Sequence, residues 1–250
     1  MRWEEALVVM GKRPRPGAVK TRLCPPLSHG EACDLYGRML ADTAEEMAAL
    51  RGVRLCLFLD PPGGAERFGK FPFSPFERFP QRGTDLGERM DAAAGAAFRD
   101  GARRVGIVGA DCPALPAGTV RAAFRELRDG AAAVFGPSTD GGFTLAGLAS
   151  PDVRPFDGIA WSTPAVLAEA AARCRARGAP FSFLAPLPDV DVYEDLLGLR
   201  EWMARRAAPA CRRTREWVTA FFSRGGGRGP SGRPGRTAGP PRGSRPPRGG

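Results

Sequence analysis

The chain has 250 residues, 43% of them hydrophobic, which allows one sizeable core or at most two small ones. Its formal charge of +10 is uneven: residues 224–250 hold seven arginines and no acid, so residues 1–223 carry only +3. This balance excludes a strong nucleic-acid footprint on the body of the chain. No apolar stretch approaches the roughly 20 residues that span a bilayer, and two acids precede the first apolar run, so we expect neither a membrane span nor a signal peptide.

Six cysteines occur without a CxxC pair or any paired spacing. This usage predicts reduced thiols in a cytoplasmic protein.

The first predicted strand, residues 6–10, runs into the basic loop, which we define as residues 11–22 (GKRPRPGAVKTR). The loop carries no acid, and its prolines and Gly17 exclude a helix. It matches neither the P-loop nor the GxGxxG pattern. A solvated loop is the alternative, but the position after a buried strand favours binding of nucleotide phosphates by Lys12, Arg13, Lys20 and Arg22.

A capping-box spacing at Ser28 and Glu31 predicts a helix to about residue 50, and residues 53–59 form a second apolar strand. The next predicted helix opens in the segment TDLGERM (residues 84–90). There Gly87 would let backbone approach a ligand, and Arg89 would reach phosphate or pair with an acid. An ordinary capped amphipathic helix explains these residues equally well.

Asp111 ends the apolar run of residues 104–110. Ligands of open α/β sheets collect outside the carboxyl ends of strands, so Asp111 is placed to hold a divalent cation against a phosphate. A turn-capping role is the alternative. The neighbouring Cys112 is a weak candidate nucleophile, because the single histidine, His29, is not obviously near it.

The next strands, residues 131–135 and 143–147, flank a loop whose Asp140, Gly141 and Gly142 suggest close backbone approach to an acceptor. An ordinary Asp-Gly hairpin turn is the alternative. Thr163 and Pro164 suit the start of the following helix, whose exposed amides, with Ser162 and Thr163, would bind an anionic acceptor group.

A last predicted strand, residues 181–184, delivers Asp189 and Asp191. In extended backbone these two alternate residues point to one side, and with Asp111 they make an oxygen site that suits Mg²⁺ or Mn²⁺. One of them could instead be only the N-cap of the next helix, residues 192–206.

Strand alternating with helix predicts a three-layer α/β/α sandwich with a mostly parallel sheet. We assign residues 1–222 to this domain and residues 223–250 to a disordered tail of Arg, Gly and Pro. Oligomeric state is not readable from these patterns.

Five runs resemble the DUF2064 family over about residues 5–200: GKRPRPGAVKTRL, GADCPALP, FGPSTDGGFTLAGL, WSTP and DVDVYEDL. Members are often labelled glycosyltransferases associated with radical-SAM or selenium clusters. They are similar to the nucleotide-diphospho-sugar transferase superfamily with the GT-A fold, which includes several nucleotidyltransferases. The resemblance implies the GT-A fold, and a DLGERM segment with Gly87 that approaches the nucleotide.

These observations together predict a metal-dependent transferase. The donor would be an NTP, from which a nucleotidyl group passes to a small anionic or phosphorylated acceptor. The alternative is glycosyl transfer from an NDP-sugar. In either reaction Lys20 and Arg22 would clamp phosphates, while Asp111, Asp189 and Asp191 would hold the metal. A separate alternative is weak nucleic-acid or acidic-partner binding through the tail.

Overall fold

The computed structural model describes residues 3–61, 73–205 and 211–226. Its strands are β1 (Glu5–Lys12), β2 (Val53–Asp60), β3 (Glu77–Pro80), β4 (Arg104–Gly109), β5 (Ala133–Pro137), β6 (Phe143–Leu148) and β7 (Phe181–Phe183). Its helices are α1 (His29–Met47), α2 (Leu86–Arg99), α3 (Ala117–Arg128), α4 (Val166–Ala176), α5 (Tyr193–Ala204) and α6 (Arg212–Ser223). The tail assigned from the sequence lies outside the described residues from position 227 onward.

The strands form one seven-stranded sheet in the order β3-β2-β1-β4-β6-β5-β7. Every pairing is parallel except those of β6, which runs antiparallel to both β4 and β5. The parallel strands therefore share one carboxyl edge, where ligands of such sheets bind. The mostly parallel α/β sheet predicted from the alternation of strands and helices is confirmed.

Apolar side chains on the two faces of the sheet form two cores. Along β1, Leu7 and Val9 join the core under α1, α3, α5 and α6, while Ala6 and Val8 join the core under α2 and α4. All four side chains are fully buried. A strand with apolar residues on both faces needs cover on both sides, which confirms the three-layer sandwich. No described helix combines the length and apolar character that crossing a membrane requires.

Helix starts show where local sequence decided the structure. The predicted capping box is confirmed: the Ser28 hydroxyl accepts from Glu31 N at 3.2 Å, and Ser28 N donates to Glu31 Oε2 at 2.9 Å. The helix predicted to begin at Thr163 and Pro164 begins instead at Val166. The prediction is wrong by two residues because Thr163 forms a turn, its hydroxyl donating to Ala160 O at 2.9 Å and accepting from Ala165 N at 3.3 Å.

Candidate active site

A cleft of about 830 Å³ opens at the carboxyl edge of the sheet. Its walls come from the loop after β1, the ends of β4 and β5, the start of α2 and the segments before α4 and α5. Most of the side chains predicted for the site line it: Lys12, Lys20, Arg22, Arg89, Asp111, Asp140, Gly142, Ser162, Thr163, Asp189 and Asp191. Three predicted residues do not: Arg13, Gly87 and Gly141.

Lys20 lies between two carboxylates in this cleft. Its Nζ is 3.0 Å from Asp111 Oδ2 and 3.6 Å from Asp191 Oδ1, and only 5% of its side chain is exposed. Lys20 adopts a left-handed conformation with φ of 49° just before a single 3-10 turn, Thr21–Leu23. Val19 and Leu23 on either side are buried. The apolar neighbours thus anchor the basic loop, while the lysine turns towards the acids.

The Lys20 ammonium keeps its proton despite burial. Removal from water is the largest effect and would lower its pKa, but the charges of Asp111 and Asp191, the hydrogen bond to Asp111 and the more distant Asp189 together raise it. The cleft therefore holds a fixed positive charge where the loop after β1 meets the end of β4. Such a charge can stabilise phosphate oxygens.

Asp191 is held by cations, whereas Asp195 caps the following helix. The Arg22 guanidinium donates to Asp191 Oδ2. Asp195 Oδ2 accepts from the backbone N–H groups of Asp191 and Val192 at 2.9 and 2.8 Å. Because Asp195 supplies this cap, the carboxylate of Asp191 remains in the cleft. The cap role considered for Asp189 or Asp191 from the sequence is therefore filled by another residue.

Asp189 is the most perturbed acid of the cleft. Burial, the nearby charge of Asp140 and that of Asp195 raise its pKa to about 6. Within the described part of the chain, its Oδ1 is buried without a hydrogen-bond partner. An unsatisfied buried carboxylate oxygen is costly unless a ligand or a proton meets it, so Asp189 is a candidate binding group.

Cys112 is not an activated nucleophile in this arrangement. Burial, followed by the charge of Asp189, raises the pKa of the Cys112 thiol to about 12. A thiol acts as a nucleophile through its thiolate, and this thiol stays protonated at neutral pH. The structure thus argues against the cysteine chemistry considered from the sequence.

The three carboxylates predicted as metal ligands share the cleft but do not form a ready cage. Among the described residues, no group of three His, Cys, Asp or Glu side chains is arranged to hold a metal ion. Lys20 stands between Asp111 and Asp191. The predicted ligands still suit a hard cation: all of them are carboxylate oxygens, and Asp189 Oδ1 has no hydrogen-bond partner among the described residues. A metal that kept waters and phosphate oxygens would need only one or two of these carboxylates.

At the start of α2, Arg89 forms an ion pair and Gly87 allows close packing. Arg89 Nη1 contacts Asp60 Oδ2 at 2.7 Å, so this guanidinium, which also lines the cleft, already has an acidic partner. Gly87 is buried, and a Cβ added there would lie 2.8 Å from Phe156 O and 2.9 Å from the Trp161 ring. Close packing explains this glycine, whereas the sequence suggested close approach to a ligand.

The turn between β5 and β6 is tied to the segment before α4. Asp140 Oδ1 accepts from Gly142 N at 3.0 Å and from the Ser138 hydroxyl. Gly141 has a φ of +92°, and a Cβ there would lie 2.2 Å from Pro164 O, so Gly141 serves the contact between the two segments. Its carbonyl accepts from Leu167 N at 3.0 Å.

The residues that line the cleft but were not singled out from the sequence include Gln81, Tyr36 and Trp161. The Tyr36 hydroxyl accepts from Lys12 N at 2.7 Å and so fixes the start of the basic loop. The Trp161 Nε1 is buried without a partner among the described residues. Gln81 follows a strand that the sequence did not predict. A glutamine directly after a Phe-Pro pair was the available signal.

Comparison with known proteins agrees with this architecture. The structure of a protein from Desulfovibrio desulfuricans G20, provisionally described as a nucleotide-diphospho-sugar transferase, is 31% identical, with a TM-score of 0.79 over 89% of this chain and 96% of that one. Residues 43–163 match the family described as "uncharacterized protein conserved in bacteria" (DUF2064). No curated protein matches the chain.

Two more distant structures share the fold. CMP:2-keto-3-deoxy-manno-octonic acid synthetase complexed with CTP is 14% identical, with a TM-score of 0.52 over 80% of this chain and 99% of that one. The 4-diphosphocytidyl-2C-methyl-D-erythritol synthase from Anaerococcus prevotii DSM 20548 is 9% identical, with a TM-score of 0.53 over 80% and 97%. The fold and the cleft thus define a protein of the nucleotide-diphospho-sugar transferase class. Within that class, the chain belongs to the DUF2064 family.

Proposed function

We propose that the chain is a transferase that uses a nucleotide-activated donor and moves a nucleotidyl group from an NTP to a small-molecule acceptor, with release of pyrophosphate. The observation that supports it best is the buried Lys20, paired with Asp111 and Asp191 at the carboxyl edge of the sheet. A cation and carboxylates at one point are what a metal-bound polyphosphate needs.

The basic and acidic side chains of the cleft would bind different parts of the donor complex. Lys12, Lys20 and Arg22 would contact phosphate oxygens, and each lines the cleft. Lys20 and Arg22 would exchange part of their pairing with the acids for the phosphates. Asp111 and Asp191, with Asp189 beside them, would then hold Mg²⁺ or Mn²⁺ together with water and phosphate oxygens. The cation would neutralise charge on the phosphates, and the protein's remaining contribution is positioning.

The structure does not support the anionic acceptor site that the sequence predicted before α4. The sequence predicted an anionic acceptor at free amides before α4, but Ala165 N bonds Thr163 Oγ1, Val166 N bonds Thr163 O at 3.4 Å and Leu167 N bonds Gly141 O. The cleft lining contributed by described residues 138–166 contains Asp140 and no Lys or Arg. We therefore propose an acceptor that reacts through a hydroxyl or amine and carries no phosphate group of its own.

Glycosyl transfer from an NDP-sugar is the second candidate. The observation that favours it is the description of the 31%-identical relative as a nucleotide-diphospho-sugar transferase. The two reactions release different products: pyrophosphate in nucleotidyl transfer, and a nucleoside diphosphate in glycosyl transfer. Chromatography of the spent donor separates them.

Asp111→Asn tests the proposed donor site. Wild-type protein should show an increase in Tm that requires both Mg²⁺ or Mn²⁺ and a donor chosen from the NTPs and UDP-glucose, because a ligand of the native state stabilises it. Asp111→Asn should lose most of the metal-dependent part of that increase, since it removes a carboxylate oxygen beside Lys20. Thermal shift with each donor, with and without metal, is the measurement.

The matched control is Asp129→Asn, an exposed acid that lies outside the cleft and should leave the shift unchanged. A metal-dependent shift of wild-type size in Asp111→Asn would contradict the proposed site. Lack of a shift with every donor in the wild-type protein would contradict the proposed function itself.

A further inference from the structure

Gln81 lies across the carboxyl ends of two strands. Its backbone N donates to Leu59 O at 3.1 Å, directly after β3. Its side-chain Nε2 donates to Gly11 O at 2.8 Å and to Phe58 O at 3.0 Å. The side chain thus reaches from the edge strand β3 over the end of β2 to β1, where it forms part of the cleft wall.

These contacts fix the orientation of the Gln81 amide. A primary amide nitrogen carries two hydrogens, and the two carbonyl oxygens use both. If the amide were turned by about 180°, Oε1 would lie against the same two carbonyl oxygens. Three acceptors would then meet with no hydrogen between them. Oε1 therefore faces away from Gly11 and Phe58, and no described residue donates a hydrogen bond to it. The wall of the cleft presents a fixed acceptor with no donor of its own.

The position of Gln81 suits the base of a donor whose phosphates bind at Lys20. In the sheet, β1 lies between β2 and β4. Gln81 covers the β2 side of β1, and Asp111 with Lys20 lies on the β4 side. Parallel strands are about 4.8 Å apart, so the two groups are separated by roughly two strand spacings, or about 10 Å. A nucleotide lying across the end of β1 spans such a distance.

We propose that Gln81 Oε1 accepts a hydrogen bond from an exocyclic amino group of the donor base, so that the cleft selects amino bases, cytosine or adenine, over their keto counterparts. The inference rests on the proposed function, since it assumes a nucleotide donor. A keto oxygen at the same place would face Gln81 Oε1, so that two acceptors would meet with no hydrogen between them. A polar site of this kind strongly rejects the analogue that cannot complete its hydrogen bond. If Gln81 only tied β1 to β2, it would cause no such preference.

Two pairs of nucleotides that differ in this one group provide the test. CTP and UTP differ by amino against keto in a pyrimidine, and ATP and ITP differ in the same way in a purine. Titration calorimetry with Mg²⁺ would give the dissociation constants for the wild-type protein. We expect at least one amino nucleotide to bind tenfold or more tightly than its keto counterpart. In Gln81→Met, which has neither donor nor acceptor of comparable strength, the ratio should fall below about threefold.

The ratio within each pair is the readout, so a general loss of affinity in a variant does not affect it. If Gln81→Met fails to fold, Gln81→Lys replaces it, because lysine can still donate to both carbonyls but has no acceptor. This variant should also lose the preference. Arg82→Ala, an exposed neighbour outside the cleft lining, should retain it.

The outcomes separate the inference from the proposed function. Equal binding within both pairs, a preference for the keto members, or an amino preference that survives Gln81→Lys would overturn the role of Gln81 while leaving a nucleotide donor in place. If neither these four nucleotides nor GTP binds the wild-type protein, and no NDP-sugar binds it, both proposals fail.

Discussion

At the scale of residues, the cleft concentrates acids around one lysine. The sequence placed Asp111, Asp189 and Asp191 after strands and Lys20 in a basic loop, and these four do meet in one cleft. The contact of Lys20 with the two acids could not be predicted, because it depends on the left-handed turn of a loop rich in Gly and Pro. The placement of the lysine between the two carboxylates therefore depends on the tertiary structure, although the residue types were visible in the sequence.

Asp189 should make stability depend on pH in a defined window. Its pKa is raised from 3.8 to about 6 on folding, so the native state binds this proton more tightly than the unfolded chain. Its contribution to stability is therefore present below about pH 4 and is lost as the pH rises to about 6. Relative to wild type, Asp189→Asn should gain about 1–2 kcal/mol between those limits, less than the full 1.36 kcal/mol per pKa unit, because the side chain is only partly buried and solvent screens its charge.

Urea unfolding of both proteins at intervals from pH 4 to pH 8 measures this difference. The value at pH 4, where both side chains are uncharged in the native state, is the internal control. A difference in unfolding free energy that stays constant across the series would show that Asp189 is as easily ionised in the folded protein as in the unfolded chain.

At the scale of elements, the start of α2 shows what local signals leave out. Asp85 caps this helix by accepting from Glu88 N at 2.8 Å, and the segment was correctly predicted to open a helix. The purpose of Gly87 was not predictable, because its neighbours Phe156 and Trp161 come from a segment about 70 positions later. Helix boundaries follow from nearby residues. The need for a small residue on one face of a helix depends instead on residues that are distant in the sequence.

Two glycines of α2 provide a matched pair of substitutions. Gly87→Ala should destabilise the protein by about 1–3 kcal/mol, because its Cβ would lie under 3 Å from a backbone oxygen and an aromatic ring. In Gly95→Ala the new Cβ would be 3.2 Å from Arg99 Nη1, the end of a flexible side chain. That substitution should instead stabilise the helix by about 0.5–1 kcal/mol. Thermal and urea unfolding of the two variants would reveal opposite signs, and two shifts of the same sign would contradict the packing argument.

At the scale of the whole molecule, the sheet has more strands than the sequence predicted. Six strands were identified, and β3 was missed, because its four residues, ERFP, show no apolar alternation and end in proline. An edge strand tolerates such a sequence, and among the described strands β3 pairs only with β2. The antiparallel direction of β6 was also not predicted, because the direction of a strand depends on how the chain enters it.

The last described helix is anchored to the first by a buried acid. Asp42 of α1 is 3% exposed, and its carboxylate accepts from Thr214 N at 2.7 Å and from Arg213 N at 3.2 Å. Asp42→Ala should cost about 2–4 kcal/mol of unfolding free energy, because it leaves the N–H groups of Thr214 and Arg213 without their acceptor and removes the buried one of the two acids that pair with Arg213.

Glu45→Gln is the control for this anchor. Glu45 also pairs with Arg213, but its side chain is 54% exposed, and exposed ion pairs contribute at most about 1 kcal/mol. Urea unfolding should rank the two variants clearly. Equal losses would mean that burial at Asp42 is not what holds α6 in place.

The hairpin of β5 and β6 has a consequence for how substrate range could change in this family. The turn at residues 138–142 leaves the sheet on one strand and returns on the adjacent one. The cost of closing a longer loop grows slowly, so the contact of Gly141 with Pro164 and Leu167 is what an insertion here would have to preserve. Extra residues at this turn would reshape the entrance above Asp140 without shifting the register of β4, which delivers Asp111. Under the proposed function, a change at this turn would therefore alter the part of the cleft assigned to the acceptor and leave Lys20 and Asp111 in place.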